Sequence, residues 1–219
     1  MKRVLQIIIS VLASSLAFSA LGFFIWNTPK PPVKPAGISS VAPVRTLPEA
    51  ALTKKISVRS AGIRNFCKSK SFNTDYCFMI DMSLPSGKNR FFIYDLNSNA
   101  ALGAGLVTHG SGSAGPGDQL IFSNQPGSNC TSIGKYKIGQ DYFGKFGLAY
   151  KLYGLDLTNN KAFERFVVLH ADACVPEFEV YPLSICPSLG CPTVSPAFLQ
   201  KLKTYIDRSG DPVLLYIFK

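Results

Sequence analysis

The sequence predicts a mainly β domain with flanking helices, and three observations support that expectation. Phe78–Leu84 and Arg90–Leu96 are β-rich runs around Pro85, Ser86 and Gly87, the pattern of a hairpin. Similar short runs recur at Leu102–Thr108, Lys135–Ile138, Leu148–Leu155, Phe166–His170 and Val213–Phe218, with Gly-rich connections between them. Only two stretches carry helix signals. One runs from Pro48 to about Asn65, with Pro48 suited to a first helical position and Glu49 to the positive helix start. The other has Ser195 as cap, Pro196 as first residue, Phe198, Leu202, Tyr205 and Ile206 at helical spacing, and Gly210 as stop.

The N-terminus bears on compartment. Lys2 and Arg3 precede an apolar run from Val4 to Trp26, long enough to span a bilayer core, which needs roughly 20 apolar residues. A charged start and apolar middle also describe a secretory signal, and Ala17, Ser19 and Ala20 offer small residues for cleavage. The run continues past them to Phe23, Phe24 and Trp26, aromatic residues suited to a membrane interface. The expectation is therefore a signal-anchor over residues 1–26 that holds the rest of the chain at the inner membrane, in the periplasm or cell envelope. A cleaved signal peptide is the alternative. Residues 27–48 crowd six prolines with Lys30, Lys34 and Arg45, and this composition suits a semi-rigid tether. Residues 49–219 are long enough for one domain with its own core.

The 23 Lys and Arg exceed the 13 Asp and Glu by 10. No basic stripe interleaved with aromatics accompanies that excess, which argues against a nucleic-acid partner. Gly110–Gly117 is rich in glycine but lacks the Gly-Lys-[Ser/Thr] ending of a phosphate loop and is followed by no helix pattern, so it reads as a flexible loop. Six cysteines in an exported chain suggest disulfides. Cys67 with Cys77, and Cys174 with Cys186, would each close a short loop, although connectivity does not follow from sequence. With Cys191 as a nucleophile five cysteines remain, and Cys130 is the one expected to stay unpaired.

Catalysis by a thiol needs a base and an oxyanion site. Of the two histidines, His170 ends the apolar run Phe166–Leu169 and should lie at the mouth of a buried strand. Cys191 follows Gly190, which permits a tight turn with positive φ that aims backbone N–H groups at one point. An imidazole beside that thiol is expected to lower its pKa.

His170, a gap of 17 residues from Ala171 to Pro187, and Ser188-Leu189-Gly190-Cys191-Pro192 resemble the YkuD-type L,D-transpeptidases, in which a His is followed by [Ser/Thr]-His-Gly-Cys. His109-Gly110, Phe122-Ser123-Asn124, Ser132-Ile133-Gly134, Tyr153-Gly154-Leu155-Asp156 and Arg165 extend the likeness to the Cys-Pro branch, the murein L,D-transpeptidase catalytic-domain family. The resemblance spans about Phe78 to Phe218. It implies a β-sandwich or barrel that acts on peptidoglycan stem peptides without cofactor or metal, with Cys191 as nucleophile and His170 as base. The Ala171 carbonyl would orient the imidazole, Ser188 would brace the turn, and N–H groups near Gly190 would bind the oxyanion. His109, Asn124 and Arg165 would contact substrate, with an ion pair as the plainer role of Arg165. Leu189 stands where the motif has a second His, so that position cannot donate a side-chain hydrogen bond. Pro192, Thr193 and Val194 likewise replace the residues that usually follow the Cys.

Three other readings fit parts of the pattern. His170, Cys174, Cys186 and Cys191 supply a nitrogen and three sulfurs for zinc, at irregular spacing. All six cysteines would instead be structural in a non-catalytic wall-binding domain. Papain-like and NlpC-type enzymes place Cys before His, the wrong order, and sortases need a later strand Arg where this chain has only Arg208, in a helix pattern.

Overall fold

In the computed structural model, residues 49–116 and 119–219 are described. The expected membrane segment, the tether, Pro48 and Gly117 lie outside them. Among the described residues no helix is long and apolar enough to cross a membrane.

The chain forms helix α1 (Glu49–Ser69), strands β1 (Tyr76–Asp81), β2 (Phe91–Asp95), β3 (Ala100–Gly105), β4 (Gly134–Gly144), β5 (Gly147–Gly154), β6 (Val168–Ala171) and β7 (Thr193–Val194), helix α2 (Pro196–Arg208) and strand β8 (Leu214–Phe218). The mainly β expectation with flanking helices holds. The strands belong to one eight-stranded mixed sheet in the order β3-β2-β1-β8-β4-β5-β6-β7. The hairpin read around Pro85 is the antiparallel β1–β2 pair, with Phe78 opposite Ile93. β7, two residues long, carries no periodicity that a sequence can display; it is fixed by parallel pairing with β6, His170 opposite Thr193.

The central strands read as continuous apolar runs because both sheet faces are covered. Successive side chains on β1 point to opposite sides. Phe78 and Ile80 join a core with Phe91, Ile93, Tyr136, Leu169, Phe198 and Leu202, in which α2 packs on the sheet. Cys77 and Met79 join a second core with Ile56, Ile63, Cys67, Phe92, Tyr94 and Leu214. The α1 residues at that face, Ile56, Ile63 and Cys67, recur at helical spacing. Ser195 caps α2 as expected, accepting from the Phe198 N–H, and Ser209, one residue before Gly210, closes it.

Cys174 and Cys186 form a disulfide with a Cα–Cα distance of 6.1 Å. The expected second bridge is not formed: Cys67 and Cys77 are free thiols, and both are fully buried. Cys67 lies in the last turn of α1 and Cys77 on β1, so apolar packing of helix on sheet seats them as small core residues. Cys130 is also free, as expected.

Candidate active site

β6 carries His170 beside the edge strand β7, and the Ser188–Cys191 turn leads into β7, so that Thr193, two residues after Cys191, lies opposite His170. Gly190 has φ +110°, in the region that favours glycine. A Cβ there would lie 2.8 Å from the Cys130 carbonyl oxygen, so the turn needs glycine for space as well as for conformation. The Ser188 hydroxyl accepts from the Gly190 N–H (3.1 Å) and donates to the Cys191 carbonyl (2.7 Å), which is the bracing expected of it. Thr108 donates to the same carbonyl at 3.2 Å. The Gly190 N–H is thus engaged within the turn. Among the described residues the N–H groups of Leu189 and Cys191 have no protein acceptor.

The His170 ring is held at both nitrogens. Nδ1 lies 3.1 Å from the Ala171 carbonyl, and Nε2 lies 3.0 Å from the Thr193 hydroxyl. A carbonyl only accepts, so Nδ1 carries the hydrogen and Nε2 is the basic nitrogen. Phe146 stacks on the imidazole with ring centroids 4.7 Å apart. Burial pushes the His170 pKa below the usual histidine value, against the Ala171 bond and the Asp172 charge, so the ring is neutral at neutral pH.

No hydrogen bond joins the Cys191 thiol to that ring. Sγ donates to the Phe166 carbonyl (3.8 Å) and accepts from the Val168 N–H (3.5 Å). Burial raises the Cys191 pKa; the Val168 N–H and Arg165 only partly oppose it. The expectation of a lowered pKa is therefore corrected for the resting protein, which holds a thiol and a neutral imidazole. The sequence could not show that Thr193 occupies Nε2.

The three residues expected to contact substrate each make hydrogen bonds within the fold. Among the described residues Arg165 makes no ion pair; its guanidinium donates to the carbonyls of Ser123 (3.0 Å) and Cys130 (2.6 Å) and to the Ser132 hydroxyl (3.1 Å). Asn124 donates to the Leu157 carbonyl and to Asn160, tying two loops together. The His109 backbone carbonyl accepts from the Ser188 N–H at 2.9 Å, and its Nδ1 accepts from Arg90 at 3.1 Å. Burial, aided by the Arg90 charge, lowers the His109 pKa to about 4. Arg90, which sequence reasoning passed over, is 1% exposed and also donates to the carbonyls of Val107 and Leu84. Its signal was available: a lone cation opening the apolar run Phe91-Phe92-Ile93. Thr108 and Thr193 gave no such signal.

A profile of the L,D-transpeptidase catalytic domain matches residues 50–218. The chain belongs to that family. Among solved structures, an L,D-transpeptidase from Enterococcus faecium is 11% identical over 66% of this chain and 50% of its own, with a TM-score of 0.40. An L,D-transpeptidase from Mycobacterium smegmatis is 11% identical over 66% and 59%, at 0.38. The helical cell shape determining protein Pgp2 from Campylobacter jejuni is 10% identical over 66% and 47%, at 0.41. This chain thus spans about half the length of these proteins. A search of curated sequences found no match.

Proposed function

We propose that this chain is a cysteine L,D-transpeptidase that works outside the cytoplasm on peptidoglycan stem peptides. The observation that favours it most is the β6–β7 pairing, which seats His170 two residues from the nucleophile and leaves Nε2 as the basic nitrogen. The thiol turns from the Phe166 carbonyl to Nε2 and gives up its proton. The thiolate attacks the carbonyl of the L-centre of a diamino acid in a donor stem, and the N–H groups of Cys191 and Leu189 receive the oxyanion. Expulsion of the next D-residue, which takes the proton from His170, leaves a thioester on Cys191. The amine of a second stem resolves it to a cross-link; water resolves it to a trimmed stem. The N-terminal apolar run, read as a membrane anchor, would keep the domain near its polymer.

The zinc alternative loses two of its sulfurs, since Cys174 and Cys186 are bonded to each other. A non-catalytic wall-binding role is separated from catalysis by trapping the acyl-enzyme. After incubation with a tetrapeptide stem and acid quench, intact mass should show one thioester adduct on Cys191, absent from Cys191→Ala. Binding of stems with no adduct would favour the binding role.

A further inference from the structure

Resting on that reading of His170 and Cys191, one contact at the site remains unassigned: the Thr193 hydroxyl. It faces two acceptors, Nε2 of His170 at 3.0 Å and the Cys191 carbonyl at 3.5 Å. A neutral imidazole with hydrogen on Nδ1 leaves Nε2 able only to accept, so the hydroxyl proton lies toward the ring. The backbone of Thr193 is fixed on both sides. Its N–H donates to the Thr108 hydroxyl at 3.2 Å, and its carbonyl accepts from the Thr108 N–H at 2.9 Å. Thr193 is itself buried. Its hydroxyl can therefore exchange acceptors by rotation about one bond, without movement of β7.

We propose that Thr193 is a positioning residue that occupies Nε2 in the free protein and releases it to the thiol by turning its O–H to the Cys191 carbonyl. Two features fit together under this assignment. Sγ rests on Phe166 and Val168 because the lone pair it would use is taken. The ring keeps its plane and tautomer between turnovers, held by Ala171 at one nitrogen and Thr193 at the other. When Nε2 passes to the thiol, the hydroxyl proton keeps a weaker partner 3.5 Å away, the Cys191 carbonyl, which already accepts from Ser188 and Thr108, so the exchange has a cost that thiol pairing with Nε2 must offset.

The test is the rate at which iodoacetamide labels Cys191 in the full chain at pH 7, read by peptide mass spectrometry. Thr193→Val keeps the shape of the side chain and removes the hydroxyl. With Nε2 vacated, the thiol pairs with the imidazole in the free protein, and labelling should rise about fivefold or more. Thr193→Ser should restore the wild-type rate, and the gain should vanish in Thr193→Val combined with His170→Ala. An unchanged or slower rate in a folded Thr193→Val protein overturns the proposal, because loss of a merely structural bond would not activate the thiol. Should that variant fail to fold, nitrogen-15 spectra of the wild-type protein decide the point. A single Nδ1–H tautomer at His170, with Nε2 shifted as a hydrogen-bond acceptor, supports it; an Nε2–H tautomer contradicts it. Neither readout requires turnover, so an inactive protein would overturn the proposed enzymatic function without touching this assignment.

Discussion

Two regions of this domain hold cysteines by opposite means. Between α1 and the sheet, Cys67 and Cys77 sit among Ile56, Ile63, Met79 and Phe92. Burial lifts the Cys67 pKa to about 11 and raises that of Cys77 as well. At the β6–β7 edge, Cys191 is also raised by burial, yet its sulfur has an N–H donor and a carbonyl acceptor, and its carbonyl is fixed by Ser188 and Thr108. The first region is held by apolar area, which is indifferent to small errors of geometry. The second is held by directed bonds between loops, and it fails when one is misplaced. The Cys191 thiol is distinguished from the other two by the polar frame around it, and only weakly by its own resting pKa.

The comparison breaks most visibly at Gly190. Gly190→Ala forces a side chain into φ +110° and against the Cys130 carbonyl. The local strain is of order 1–3 kcal/mol. Displacement of the turn should lower cross-linking by about 100-fold or more. Kinetic assay beside thermal melting separates the two effects, and near-normal activity would mean that the turn tolerates error after all. Next is Arg165→Met, which strands the Ser123 and Cys130 carbonyls at a cost of about 1–3 kcal/mol each where water cannot reach them. It should lower the melting temperature and slow turnover together.

A smaller effect is expected from pH. The His109 pKa is about 4 in the folded chain against an ordinary value of 6.5, so between those values the unfolded state binds the additional proton. Stability should accordingly fall as pH drops from 6.5 toward 4, and His170, shifted in the same direction, adds to the slope. His109→Gln should flatten part of that dependence in melts taken across the window. The smallest effect belongs to the apolar region. Cys67→Ala or Cys77→Ala should cost about 1–2 kcal/mol through lost packing and leave turnover unchanged. Loss of activity in either variant would show that the two regions are coupled.

The sequence made the apolar region and the order of strands legible, because alternation and turn residues are local signals. β1, β2, β3, β5, β6, β8 and both helices lie where those signals placed them, within a few residues, whereas β4 runs six residues past Ile138. His170 and Cys191 were singled out by a spaced motif. What stayed hidden depends on contacts between residues far apart in the chain. Thr193 became a partner of His170 only once β7 paired with β6. Arg165 reads as a substrate contact or half of an ion pair, and its bonds to the loop from Ser123 to Ser132 appear only in the fold. The Cys67–Cys77 expectation erred for a related reason: spacing in sequence suggested a covalent loop, whereas the helix and strand bring both thiols into one core without a bond.

The most direct test of the central claim is muropeptide analysis of purified sacculi incubated with the full chain, with Cys191→Ala and with His170→Ala. The account predicts new cross-linked or trimmed stem peptides with the wild-type protein and none with Cys191→Ala. His170→Ala should retain at most about a hundredth of the activity, as expected for loss of a general base. Products formed equally well by Cys191→Ala would contradict it.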